Sequence, residues 1–221
     1  MLAEALAVFR KDWRAELRTR YALATIALFA VSTLVVAGLA FGPVGADPSE
    51  RGVIPPAFLW VVLLFAAASG LPRAFVAEEE GRTAPALRLA ARPDAVFAGK
   101  LLFAWSMLTA LEALLVPLFL ALVNLDLARP PLFLAGLLSG GYALAAASTL
   151  IAALVAEARG RGALFPVLAF PVLVPALLLA VEVTRAAILG PGADGLLVEL
   201  LLYDAVLTVV GLLLFPAVWT P

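Results

Sequence analysis

The sequence predicts an all-α integral membrane protein of six transmembrane helices. An amphipathic helix precedes the first span, and a short cytoplasmic helix lies between the second and third. Three observations predict this. Residues 21–46 carry no charge, and about 20 helical residues cross the hydrocarbon core. The first twenty residues carry five Lys or Arg, and basic flanks stay on the cytoplasmic side. The uncharged pattern then recurs along a chain that is 64% hydrophobic, against roughly 45–50% for a soluble domain.

The N-terminal segment, 1–20, places Leu2, Leu6, Phe9, Trp13 and Leu17 at steps of three and four. That spacing gathers them on one helical face, while Arg10, Lys11, Arg14 and Arg18 project the other way. Such a helix lies in the membrane surface with Trp13 at headgroup level. It is not expected to be a cleaved signal peptide. The charged start is long, holds Glu4, Asp12 and Glu16, and the apolar segment after it exceeds a signal core of about 7–15 residues.

Further spans fall at 52–72, 101–125, 130–156 and 162–181. Of these, only 101–125 carries a charge, Glu112. The last span, 205–221, is uncharged and extends back to Leu196 at the cost of Glu199 and Asp204. Asp204 is buried if that helix starts near Leu196, and interfacial if it starts near Leu200. With the N-terminus inside, twelve of the 15 basic residues fall on the cytoplasmic side and Arg51, Arg129 and Arg185 fall outside. The bias puts both termini in the cytoplasm. The outer loops are short, so 1–221 reads as one transmembrane domain, with 73–100 its main cytoplasmic segment.

Within 73–100, Thr83 can cap a short helix, Pro85 fits its first turn and Pro93 ends it. Leu87, Ala90 and Ala91 form an apolar patch beside Arg88 and Arg92. Two turns have little stability of their own, so neighbours must hold this helix. It is either a solvated loop or a knob for a cytoplasmic partner.

Inside the membrane, Glu112 lies roughly 18 Å along the helix from Lys100. An ionised carboxylate costs at least a few kcal/mol at that depth. It either lines a path or moves a proton, or it is a structural acid bonded to Ser, Thr or Tyr of a neighbour. Glu182 and Arg185, three apart, suit a surface pair. Pro166, Pro171 and Pro175 interrupt the amide ladder of the fifth span, so freed carbonyls there need partners from adjacent helices. Gly136, Ser139, Gly140, Gly141 and Ala145 give the fourth span a face for close helix contact.

The chain has no Cys and no His. Disulfides, thiolate metal sites and imidazole catalysis are therefore excluded. Gly81-Arg82-Thr83 is not a phosphate loop. No enzyme activity, no catalytic residue, no metal and no cofactor is expected, and nothing suggests nucleic-acid binding.

The order of these parts resembles an ABC exporter permease: elbow helix, six spans, and a coupling helix between spans two and three. That coupling region runs acidic, then Gly and Thr, then Leu-rich, then Pro, here from Glu78 through Gly81, Thr83 and Leu87 to Pro93. More narrowly, the chain is similar to the CcmB family, haem exporter B-type permeases of cytochrome c maturation. The motifs are Phe65-Ala66 leading to Arg73-Ala74-Phe75, and Ala98-Gly99-Lys100 leading to Trp105. Two further motifs are Ala158-Arg159-Gly160-Arg161-Gly162 and Phe170-Pro171-Val172-Leu173-Val174-Pro175. It departs from the family pattern at Ala104, where a His before the Trp is expected, and at Arg88 and Arg92 in the otherwise apolar coupling region.

The resemblance implies a bacterial inner-membrane permease that binds no ATP itself. Glu80, Gly81, Thr83, Leu87 and Arg88 would contact a cytoplasmic ATP-binding subunit. Glu112, Pro171 and Pro175 are the membrane-interior candidates. Other haem-handling membrane subunits, membrane lipid and a second permease copy are the remaining partners. Three alternatives stand beside it: an exporter permease for a lipid or drug, an ion-driven transporter, and a membrane assembly factor that transports nothing.

Overall fold

A computed structural model describes residues 1–19, 21–41, 54–70, 78, 83–156, 161–190, 192 and 195–219. Among them are eight α-helices and no strand. They are α1 (Leu2–Thr19), α2 (Tyr21–Phe41), α3 (Ile54–Gly70), α4 (Ala84–Ala90), α5 (Pro93–Val123), α6 (Pro130–Ala156), α7 (Arg161–Leu189) and α8 (Leu196–Trp219). Four are long and apolar enough to cross a bilayer: Pro93–Val123, Pro130–Val155, Val167–Leu189 and Leu196–Trp219. Two shorter apolar helices, Ala24–Leu39 and Ile54–Ala68, accompany them.

Helix α6 is the hub. Residues 143–153 are buried without a break, and its small residues admit three neighbours. A methyl added at Gly136 would lie 2.6 Å from Val183 Cγ1 of α7. One at Gly140 would lie 2.2 Å from the Trp60 ring of α3, and one at Gly141 2.5 Å from Glu112 Oε1 of α5. The small-residue face thus works as expected, through close approach. Trp60 is fully buried and its Nε1 donates to Thr184 Oγ1 of α7 at 2.9 Å. That bond satisfies the indole away from water.

Several boundaries differ from the sequence reading. Pro93 opens α5 instead of only closing α4, so the helix that carries the expected 101–125 span starts eight residues before Leu101. Arg92 is extended, as a residue before proline tends to be. Asn124, in the left-handed region, ends α5. Helix α8 starts at Leu196, which makes Asp204 a buried residue, 7% exposed.

Helix α1 also differs. Its inward face is Ala5, Val8 and Asp12, packed along α5, while Leu2, Leu6 and Leu17 stay exposed. Gly99 permits the contact: a methyl there would lie 2.6 Å from the Ala5 carbonyl oxygen and 2.7 Å from Val8 Cβ. Trp13 turns inward too. Its Nε1 donates to Ser106 Oγ at 2.9 Å, and its ring meets Phe103 edge-on at 5.9 Å. Small residues let two helices touch along their backbones, so the bulky stripe is left for the surroundings.

Candidate functional site

Two polar regions stand out. The first joins α1, α4 and the start of α5. Lys100 is 1% exposed. Its Nζ lies 3.1 Å from Asp12 Oδ2 of α1 and 3.1 Å from Glu78 Oε1. Lys11 Nζ pairs with Asp12 Oδ1 at 3.1 Å and with Glu78 Oε1. Two cations and two carboxylates therefore close one network, buried at Lys100, Asp12 and Glu78 and open to the surroundings at Lys11, in which each charge has opposite neighbours. Burial alone would raise the Glu78 pKa, but Lys100, Lys11 and the Thr83 hydroxyl together hold it down at about 2. Burial likewise opposes the Lys11 ammonium, yet Glu78 and Asp12 raise its pKa above 10.5.

Glu78 also organises the approach to α4. Its carbonyl oxygen accepts from Thr83 N–H at 2.9 Å, and its carboxylate accepts from the Thr83 hydroxyl. Thr83 therefore does not cap α4 with its side chain; the hydroxyl is spent on Glu78, a stronger, charged acceptor. At the far end, Arg92 N–H donates to Glu4 Oε2 at 3.1 Å, which holds the Glu4 carboxyl below its ordinary value. Arg88 lies over the Trp219 ring, 5.0 Å from its centroid, a cation–π contact. Trp219 stacks in turn on Phe215, which packs on Phe97 of α5. A helix of two turns is thus tied to α1, α5 and α8, the external support its length demands.

The residues named from sequence fall differently around α4. Leu87 is half-buried and packs against the core. Leu89 projects outward at 91% exposure. Glu80 and Gly81 lie outside the described residues.

The second region lies within the membrane span. Glu112 is 4% exposed, and its Oε1 has no hydrogen-bond partner among the described residues. It rests on the bare backbone of Gly141. The expected Ser, Thr or Tyr partner is not found for that oxygen. On the other side of α6, Ser139 Oγ donates to Asp204 Oδ2 of α8 at 2.6 Å. Tyr142 OH and Thr208 Oγ1 lie 2.7 Å apart, and Thr208 Oγ1 donates to the Asp204 carbonyl. Trp105 Nε1 donates to the Leu138 carbonyl at 3.0 Å, with its ring edge-on to Tyr142.

Pro171 and Pro175 are exposed on α7. Tyr203 OH of α8 donates to the Val172 carbonyl at 2.7 Å, in the stretch the two prolines bound. The carbonyls that Pro171 and Pro175 free are those of Val167 and Pro171, so this bond falls beside the interrupted ladder and not on it. Glu182 and Arg185 pair at 3.2 Å, both exposed, as their spacing predicted.

Asp12, Lys100, Leu89 and Trp219 were not singled out as site residues from the sequence. A signal existed for two of them. Asp12 shares a helical face with Ala5 and Val8, where an acid is out of place unless it meets a cation. Lys100 follows Gly99 at the mouth of an apolar run.

The model of the CcmB family, described as CcmB protein, matches residues 3–218. The chain is 30% identical over 190 residues to heme exporter protein B of Bradyrhizobium diazoefficiens, covering 86% of this chain and 84% of that protein. It is 32% identical over 167 residues to heme exporter protein B of Rhodobacter capsulatus, covering 75% of this chain and 74% of that protein. With its helical membrane architecture and a family match running almost end to end, this chain belongs to the CcmB family.

Proposed function

We propose that this chain is the membrane permease subunit of a haem-handling ABC complex of cytochrome c maturation, and that α4 is where ATP hydrolysis is felt. The observation that carries this is the mounting of α4. A two-turn helix is tied to α1 through Glu4 and the Lys100 network, and to α8 through Trp219, while Leu89 stands free. A force on Leu89 would reach three helices at once. The catalytic work of ATP cleavage then belongs to a separate cytoplasmic subunit. The iron of haem would be held by another membrane subunit, because this chain lacks His and Cys, the commonest haem ligands. The reading includes six spans with both termini in the cytoplasm of a bacterial inner membrane, α1 as the elbow and α4 as the coupling helix. It rests on the charge split and on the order of the elements.

The test uses the tagged chain purified from native membranes with its subunits. Leu89→Asp is expected to lower recovery of the ATP-binding subunit at least tenfold, about 1.4 kcal/mol, with the chain still inserted. Leu213→Asp is unsuitable as a control in lipid; Leu213→Trp, on an exposed face of α8, should retain that subunit. Full recovery with Leu89→Asp would remove α4 as the contact.

A further inference from the structure

Trp105, Leu138, Ser139, Tyr142, Asp204 and Thr208 line a groove of about 550 Å³ between α5, α6 and α8. Its wall on α8 continues through Leu201 and Val209, 51% and 55% exposed. The groove therefore opens sideways, toward what surrounds the bundle. It runs from Leu201 to Val209 on α8 and from Ala135 to Tyr142 on α6, about 10–12 Å along each, or two helical turns. Asp204 sits eight residues into α8, roughly 12 Å from its start. Ser139 occupies Oδ2, but Oδ1 is buried and has no hydrogen-bond partner among the described residues. A buried carboxyl oxygen left so in apolar surroundings is unfavourable until a donor reaches it.

We propose that this groove receives a transmembrane helix of a different subunit, and that a hydrogen-bond donor or cation on that helix completes Asp204. The proposal rests on the reading that the chain works inside a multi-subunit membrane complex. Charge complementarity selects the occupant. A lipid chain can fill the apolar walls but offers Oδ1 no donor. A second copy packed symmetrically would bring two Asp204 carboxyls into one groove, and like charges there repel. From Leu101 to Pro221 the chain's basic residues are Arg129, Arg159, Arg161 and Arg185, and Arg185 is engaged by Glu182. A polar side chain between membrane helices is a recognised means of fixing which helix pairs with which.

The test is quantitative recovery of every subunit from native membranes with the tagged chain, alongside detergent melting of the chain alone. Ala205→Trp fills the groove, and Asp204→Leu removes the acceptor. Leu213→Trp adds the same bulk on α8 outside the groove. Both groove variants should lose one membrane subunit other than this chain at least fivefold, while the ATP-binding subunit is kept. Asp204→Leu combined with Ser139→Ala should melt no lower than wild type in the isolated chain, because it removes the half-satisfied carboxyl together with the hydroxyl that bonds it; a purely internal role for Asp204 would lower melting and leave the partner bound. Retention of all subunits by both variants overturns the proposal. So does loss of a second copy instead of a different subunit, or equal loss with Leu213→Trp. Absence of the ATP-binding subunit from the wild-type sample would count against the permease reading and leave the groove's outcome readable in the other subunits.

Discussion

Asp12 and Glu78 at the foot of α5 are as buried as Asp204 and Glu112 in its neighbours' midst, yet they are treated in opposite ways. The first pair faces Lys100 and Lys11. The second pair meets a hydroxyl and a glycine backbone, and no ion pair reaches it among the described residues. The difference follows from where cations can be placed. A lysine at the edge of the membrane can reach inward from water, whereas one at mid-span needs a fixed partner of its own. The acids at the foot of α5 are therefore fixed as charges that bind elements together. The membrane acids are left as acceptors with capacity to spare.

The largest effect should come from breaking the paired region. Lys100→Met leaves two carboxylates with only the half-exposed Lys11. Removing one partner of a buried ion network costs about 3–5 kcal/mol. The expected outcome is a sharply lower melting point in detergent, or no accumulated protein at all. Lys100→Met combined with Asp12→Leu leaves Lys11 and Glu78 as a simple pair and should recover most of the loss. Failure of the double variant to improve on the single would show that the charges are not coupled.

Acid sharpens the same contrast. Glu78 has a depressed pKa in the folded state, so its contribution is present above its unfolded value of 4.5 and is lost as pH falls toward about 2. The melting difference between wild type and Glu78→Gln should therefore be full at pH 6 and shrink below pH 4.5. A difference that stays constant down to pH 3 would mean that the ionised form is not what stabilises.

The smallest effect is expected in the membrane region. Glu112→Gln keeps shape and removes the charge, against a Gly141 face that offers no partner to either. The variant should assemble with its subunits and support cytochrome c maturation near normally, with a stability change under about 1 kcal/mol. An assembled but inactive complex would instead give Glu112 a working charge or proton.

Much of this was legible before the structure. The long apolar helices, the short helix after Thr83 and the surface pair of Glu182 and Arg185 all follow from charge spacing and proline placement. Asp204 could be placed once the start of α8 was known. What the sequence hid was direction. Leu87 and Leu89 are equally apolar and two apart, so on a two-turn helix no periodicity is long enough to say which one turns in. In α1 the Leu stripe drew the eye, and nothing in the sequence singled out Ala5 and Val8 as the face that packs on α5, where Gly99 allows backbone contact. For the long-range pairing of Asp12 with Lys100 the local trace is slight: an acid on the Ala5 and Val8 face calls for a cation without saying which one.

The contact of Arg88 with Trp219 has a consequence for how the protein is made. Helix α4 leaves the ribosome long before the last turn of α8 exists, and synthesis at about 5–20 residues per second separates the two by several seconds. During that interval α4 lacks its aromatic platform. An ATPase that recognises α4 only in its mounted pose would ignore chains in which α8 has not yet docked, so a single cation–π contact would report that two helices far apart in the chain have met.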